Sequence, residues 1–142
     1  MPRGGRRLGL TPQRPRKSAT LAREARGRGA ERAGREAEDA VCLWLAEDGW
    51  EIFARRVRTA LGEIDIAAER EGLVAIVEVK QRATLEEAAA SLSRRQQARL
   101  MAAAELLLAR HPRRGAAGVR FDVLLVDITG RVERIEDAFR LM

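Results

Sequence analysis

Two short stretches hold the residue types that phosphodiester hydrolysis needs. Gly62-Glu63-Ile64-Asp65 ends on a carboxylate, and after twelve intervening residues Glu78-Val79-Lys80 supplies a second carboxylate and an amine. In extended chain, alternation puts Glu63 and Asp65 on one face and Ile64 and Ile66 on the other, while Glu78, Lys80 and Arg82 share a face. The connection Glu69-Arg70-Glu71-Gly72 is short, which predicts an antiparallel hairpin whose register follows from loop length. A two-residue turn at Glu71-Gly72 sets Arg70 opposite Leu73, Asp65 opposite Glu78 and Glu63 opposite Lys80. Directly opposed residues have Cβ atoms about 5 Å apart. An odd loop would instead bring Asp65 against Val77 and disperse the group.

Two carboxylates that close repel, and apolar surroundings make each resist ionisation. Strand propensity does not call for them, because Asp and Glu are depleted in strands. A hard divalent cation, Mg²⁺ or Mn²⁺, resolves the clash, being held by one or two carboxylates together with water and substrate phosphate. The ion stabilises charge on the phosphorus oxygens, while Lys80 holds or deprotonates the attacking water. The plainer account is a set of ion pairs, Glu63–Lys80 and Glu78–Arg82, with no ligand. Two features weigh against it. The run from Leu73 to Val79 is too apolar for a casual surface strand, and residues 36–142 use 15 arginines but a single lysine, Lys80. Lysine is the compact cation whose proton affinity burial can tune.

Composition narrows the chemistry further. The chain has 142 residues, 46% hydrophobic and 34% charged, with one cysteine and one histidine. That usage excludes a disulfide framework and a zinc site built within the chain. It also excludes a nucleophile–histidine triad unless His111 is the base, so hydrolysis would run on carboxylates, lysine or a hard metal ion. No apolar run approaches the length of a membrane span. The expected location is the cytoplasm.

The elements that must position these groups follow from periodicity. Ala37, Ala40, Val41, Trp44 and Leu45 recur at helical spacing from about residue 30 to Asp48, with Gly49 as a stop. Strands are predicted at Trp50–Arg58, Gly62–Ala68 and Leu73–Lys80, the last a central strand covered on both faces. A short helix is predicted at Leu85–Ala90 and a strong one from Ser93 to Ala109, ended by His111-Pro112. A fourth strand covers Val119–Asp127, a turn at Thr129-Gly130 leads into Arg131–Ile135, and a short helical tail closes the chain. The order α-β-β-β-α-β is that of a two- or three-layer α/β domain of about 110 residues, enough to bury roughly two-thirds of its surface.

The net charge of +6 divides unevenly, since residues 1–35 carry +9 and residues 36–142 carry −3. The division predicts a basic arm over 1–28, too rich in Arg, Gly and Pro to order itself, ahead of one domain over 29–142. Three accounts of the arm stand open: a polyanion-binding tail, a transit peptide, or an extension without a selected role. Among the remaining residues, Cys42, Trp44 and Trp50 read as core and His111 as a loop residue, while Asp122 stands open between facing the same site and a structural role as a cap or a partner of Arg120. Arg55, Arg56, Arg58, Arg82, Arg94, Arg95 and Arg99 are candidates for phosphate contacts or for a solvated face.

Asp65 followed at this spacing by Glu78-Val79-Lys80 resembles the PD-(D/E)XK core of restriction-endonuclease-like nucleases, and the element order is theirs as well. A more extended likeness is to the YraN-like family of small bacterial proteins. It runs through Ala37-Glu38-Asp39-Ala40, Gly49-Trp50-Glu51-Ile52, Gly62-Glu63-Ile64-Asp65, Val77 to Arg82, Arg120-Phe121-Asp122-Val123 and Asp137-Ala138-Phe139. That family is similar in pattern to archaeal Holliday-junction resolvases, which set a helix glutamate beside the strand carboxylates. By position that glutamate is Glu38, on the helix stripe with Cys42 and Leu45. The resemblance implies a mixed sheet flanked by helices and a metal-dependent nuclease-like activity on DNA, with branched or structured forms among the candidate substrates. Asp65, Glu78, Glu38 and the Val79 carbonyl would be metal ligands, Lys80 the water-activating residue, and Arg82, Arg94 and Arg95 phosphate contacts. Glu63 would tune Lys80. A homodimer is expected by the same likeness. Departures are Ala37 where the family has Gly, Arg94-Arg95 where it has lysine, and Gln81 where it has a small residue. The rival from another class is a binding module without catalysis, indifferent to metal and to Asp65.

Overall fold

A computed structural model describes residues 34–140. The arm expected over 1–28 and the helix start near residue 30 lie outside the described residues. Helix α1 runs over residues 34–47. It is followed by β1 (Glu51–Thr59), β2 (Gly62–Arg70), β3 (Leu73–Gln81), α2 (Leu85–Ala90), α3 (Arg94–Ala109), β4 (Gly118–Val126) and β5 (Val132–Ile135). The strands form one sheet in the order β1-β2-β3-β4-β5. It is mixed, with β3 and β4 parallel and the other neighbours antiparallel. A parallel neighbour requires a long crossover, and α2 and α3 provide it.

Helices cover both faces, so the domain has three layers. On one face Ile64, Ala67, Val74, Ile76, Val123 and Leu125 pack with Ala88 of α2 and Leu100, Ala103, Ala104 and Leu107 of α3. On the other, Ile66, Ala68, Ala75, Val77, Leu124 and Val126 pack with Ala37, Val41 and Leu45 of α1 and with Trp50. Val74, Ala75, Ile76 and Val77 of β3 are all fully buried and are shared alternately between the two cores, as a continuous apolar run requires. Trp50 is buried with Arg70 at 4.7 Å and Arg120 at 5.6 Å from its ring, and Trp44 and Cys42 pack at the edge of the same core. His111 stands beside Phe53 with ring centroids 5.1 Å apart.

Local chemistry explains the element ends. Ser93 caps α3 by accepting from the Gln96 N–H, while the Gln96 side chain accepts from the Ser93 N–H. Thr84 caps α2 by accepting from the Glu87 N–H. The expected helical tail is absent among the described residues. Residues 136–140 make a turn with Asp137 at φ +53°, then run on without helix. Their backbone is claimed by β4: the Asp137 N–H donates to Asp122 Oδ1 at 2.9 Å and the Ala138 N–H to the Phe121 carbonyl at 2.7 Å. Those bonds tie the segment to the sheet and preclude a helical turn. Asp122, with its side chain wholly buried, also accepts from Arg120 Nε at 2.9 Å and Nη2 at 2.8 Å. That set of donors uses both carboxylate oxygens and makes Asp122 a structural group.

Candidate active site

The β2–β3 hairpin fixes the site. Its backbone pairing starts with Arg70 opposite Leu73, as a turn at Glu71-Gly72 demands, and runs to Ile66 opposite Val77. Glu71 and Gly72 both take positive φ, 53° and 81°, which suits a tight hairpin turn. Continued by one step, that register brings Asp65 across from Glu78. Beyond Ile66–Val77 the pairing stops, while β3 stays paired with β4 as far as Gln81–Val126. A gap therefore opens between β2 and β3, and Asp65 fills its apex. Asp65 Oδ2 accepts from the Val79 N–H at 2.9 Å, replacing the backbone acceptor that a continuing ladder would offer.

The alternation expected along β2 does not survive at this point. Ile64 joins the core under α3, whereas Ile66 joins the core under α1. The cause lies on β1, where Arg56 has φ +52° between the paired positions Arg55–Ile66 and Val57–Ile64. A left-handed residue in a strand interrupts the pleat, and its neighbours change face. As a result both Arg55 and Arg56 reach α1: Arg55 Nη2 lies 2.7 Å from Asp39 Oδ1, and Arg56 Nε lies 2.7 Å from Glu38 Oε1.

Three of the residues singled out by type and spacing come together here. Lys80 Nζ lies 3.5 Å from Glu78 Oε2, with both side chains at least 80% covered. Burial raises the Glu78 carboxyl to about 7, with further contributions from the Asp65 charge and against the pull of Lys80. Burial likewise raises Asp65; the Val79 N–H and a hydrogen bond from Glu78 oppose the rise, and Glu38 adds to it. The pair is thus arranged with Glu78 holding the proton and donating to Asp65. The Val79 carbonyl points toward the same gap, because an extended residue directs its N–H and C=O to one edge of its strand.

Other candidates are placed differently. Glu38 approaches from α1 closely enough to act on Asp65, but its own carboxylate is held by Arg56 at 2.7 Å and flanked by Arg55 at 3.8 Å. Glu63 does not meet Lys80; it is largely exposed and 3.7 Å from Arg58. The early end of the β2–β3 ladder explains this, since Glu63 lies past the point where the strands separate. Arg82 donates to the Gln81 carbonyl at 2.8 Å and makes no ion pair with Glu78. Arg94 and Arg95 are exposed in the first turn of α3 and, with Arg82 and Arg99, make no ion pair among the described residues.

A cleft of about 300 Å³ opens beside Glu78, lined by Gly62, Glu63, Leu92, Gln96, Arg99 and Leu100. Gln96 could not be found from sequence, because it reaches the site through the β3–β4 crossover. Arg99 lines the same cleft. Gly62 sets the cleft's depth: a Cβ there would stand 3.3 Å from the Arg99 carbonyl, and φ is +156°. A larger apolar cavity of about 560 Å³ lies elsewhere, between α3, the start of β4 and Phe139, and holds neither Asp65 nor Glu78.

The donor set can be tested against an ion. Among the described residues no three His, Cys, Asp or Glu side chains form a metal-binding group. Two carboxylates and a carbonyl, all oxygen, suit a hard cation that keeps much of its water, and do not suit zinc. The two carboxyls whose ionisation burial disfavours are the groups an ion of +2 charge would relieve. Asp65, Glu78 and the Val79 carbonyl therefore fit Mg²⁺ or Mn²⁺, with Glu38 outside that set as it stands.

Together these features describe an α/β domain that carries a buried carboxylate pair and a lysine where its mixed sheet parts. Residues 37–126 match the model of the "Uncharacterised protein family UPF0102". A UPF0102 protein of Granulibacter bethesdensis is 59% identical over 116 residues, covering 82% of this chain and 73% of the relative. A second, from Azorhizobium caulinodans, is 44% identical over 131 residues, covering 92% of each chain. One from Acidiphilium cryptum is 44% identical over 118 residues, or 83% of this chain and 91% of the relative. The chain belongs to the UPF0102 family, the YraN-like proteins that the sequence motifs resemble. Among the described residues no helix is long and apolar enough to cross a membrane.

Proposed function

We propose that this protein is a metal-dependent nuclease that hydrolyses phosphodiester bonds of DNA, with Asp65, Glu78 and Lys80 as its catalytic residues. The observation that carries the reading is the convergence of these three side chains at the break between β2 and β3, where neither strand propensity nor core packing asks for them. The restriction-endonuclease-like fold expected from the PD-(D/E)XK resemblance is compatible with the mixed, helix-flanked sheet.

Asp65, Glu78 and the Val79 carbonyl would hold Mg²⁺ or Mn²⁺. Bound there, the ion supplies stabilisation of the charge that develops on the phosphorus oxygens. The chain's own residues do the rest. Lys80 Nζ, held 3.5 Å from Glu78 Oε2, orients a water for in-line attack on the phosphorus and stabilises the charge it gains. The Val79 N–H fixes the Asp65 carboxylate in its rotamer. Glu38, pinned by Arg55 and Arg56, stands near Asp65 and positions it without touching the phosphate. Arg82, Arg94, Arg95 and Arg99 are the cations available for the backbone of the nucleic acid.

The test is cleavage of labelled single-stranded, duplex, flap and four-way-junction DNA with Mg²⁺, Mn²⁺ or EDTA, by the wild type and by Asp65→Asn. The Asn retains an oxygen for the Val79 N–H, so the fold is kept. Cleavage that requires metal and falls at least about a hundredfold in Asp65→Asn is the expected result, as befits loss of a charged group acting on the transition state. Metal-independent DNA binding, equal in both proteins and without cleavage, would overturn the proposal in favour of a binding module.

A further inference from the structure

One apolar side chain stands wholly in solvent. Ile128 is 100% exposed, at the tip of the turn that joins β4 to β5. Isolated surface apolar residues are common and mean little by themselves, but the setting of this one is specific. Asp127 holds the turn rigid: its Oδ1 accepts from the Thr129 N–H at 2.9 Å, the Thr129 hydroxyl at 2.6 Å and the Arg131 N–H at 3.0 Å. Gly130, at φ +88°, completes the reversal. The backbone that carries Ile128 is therefore held in one turn conformation.

The tip lies beside the end of β3. Val126 pairs with Gln81, and Ile128 lines a cleft of about 190 Å³ together with Gln81, Arg82 and Ala83. Arg82 is exposed, anchored to the Gln81 carbonyl at 2.8 Å, and follows Lys80 by two residues. Two residues of extended chain span about 7 Å. The cleft thus sets an exposed apolar side chain beside a cation that lies two residues beyond Lys80 on the same strand. A phosphate suits the guanidinium. The apolar face of a nucleobase suits Ile128, provided that base has left its stack, because a stacked base presents only its polar edge.

We infer that Ile128 is a wedge that packs against the face of an unstacked base near the phosphate held at Asp65 and Glu78, with Arg82 on the adjoining backbone. This rests on the nucleic-acid reading above and adds a preference: DNA in which a base is unpaired or readily unstacked near the cut is held better than uniform duplex.

The experiment uses the full chain in EDTA, so that no cleavage intervenes, with DNA carrying 2-aminopurine at successive positions around the end of a duplex that continues as an unpaired strand. Wild type should raise the fluorescence of one position and bind this DNA better than uniform duplex. Ile128→Ser should lose that fluorescence rise and about tenfold of the preference, the scale of one base–side-chain stacking contact. Ile128→Phe should retain both. Equal fluorescence and preference in wild type and Ile128→Ser would overturn the inference while leaving metal-dependent cleavage to be judged by Asp65→Asn. A change of oligomeric state in Ile128→Ser by sedimentation, with fluorescence unchanged, would assign the side chain to self-association and overturn it as well. Absence of DNA binding by the wild type, in EDTA and in Mg²⁺ alike, would overturn the nucleic-acid reading itself.

Discussion

Replacing Glu78 by Gln should stabilise this protein above neutrality, an unusual result for removal of a residue at the heart of a site. In the fold the Glu78 carboxyl is raised from its ordinary 4.5 to about 7, first by burial and then by the charge of Asp65. A carboxyl raised by folding favours the native state while it is protonated. Its contribution is fully present below pH 4.5 and is lost as the pH rises through about 7. At 1.36 kcal/mol per pH unit, the elevation corresponds to about 3 kcal/mol. Glutamine keeps the shape and can still donate to Asp65, but never ionises. Urea unfolding of both proteins between pH 4.5 and 8.5 should give near-equal stabilities at the acid end. The difference should then grow in favour of Glu78→Gln through the window from 4.5 to about 7, and reach about 3 kcal/mol at pH 8. Taking the difference cancels the carboxylates whose pKa values fall on folding, such as Glu51, Glu69, Asp127 and Asp137, and which act in the opposite sense. Mg²⁺ at ten times its dissociation constant should restore about 1.4 kcal/mol to the wild type at pH 8 and less to the variant. Parallel stability curves for the two proteins across this window would refute the reasoning, since they would mean that Glu78 is ionised in the native state at ordinary cost.

Two further outcomes follow from groups outside the carboxylate pair. Asp122→Ala leaves the largely covered Arg120 guanidinium and the Asp137 N–H without their acceptor, so unfolding stability should fall by about 3–5 kcal/mol; DNA cleavage per folded molecule should be unchanged, and a selective loss of cleavage would place Asp122 in the site. Arg94→Ala combined with Arg95→Ala should leave thermal stability within about 0.5 kcal/mol, since both side chains are exposed. It should lower the slope of log affinity against log salt by about 1–2, measured by DNA-binding titrations, and an unchanged slope would remove these arginines from the nucleic-acid surface.

Several features needed only the chain itself. The register of the β2–β3 hairpin follows from the two-residue turn Glu71-Gly72, a local constraint, and with it the approach of Asp65 to Glu78. The central position of β3 follows from an apolar run with no polar face to spare. The long helix announces itself by its stripe of Leu100, Ala103, Ala104 and Leu107 and by the cap at Ser93. All of these depend on residues within a few positions of each other, or on a period that one element imposes on its own side chains.

The rest depended on contacts between distant segments. Nothing local marks Arg56 as left-handed, yet its conformation breaks the pleat, sends Ile64 and Ile66 to opposite cores, and lets Arg55 and Arg56 seize Asp39 and Glu38 from α1. Alternation alone joined Glu63 to Lys80; the end of the ladder at Ile66–Val77 left Glu63 with Arg58. The helical propensity of the last residues yielded to two hydrogen bonds that the Asp137 and Ala138 N–H groups donate to acceptors on β4. Sequence by itself thus determined which strands form, how the hairpin aligns and which carboxylates meet. Where β2 leaves β3, which charges stay free to face a ligand and how deeply Glu78 is buried were decided by tertiary structure, because each of these is set by groups far apart in the chain competing for one place.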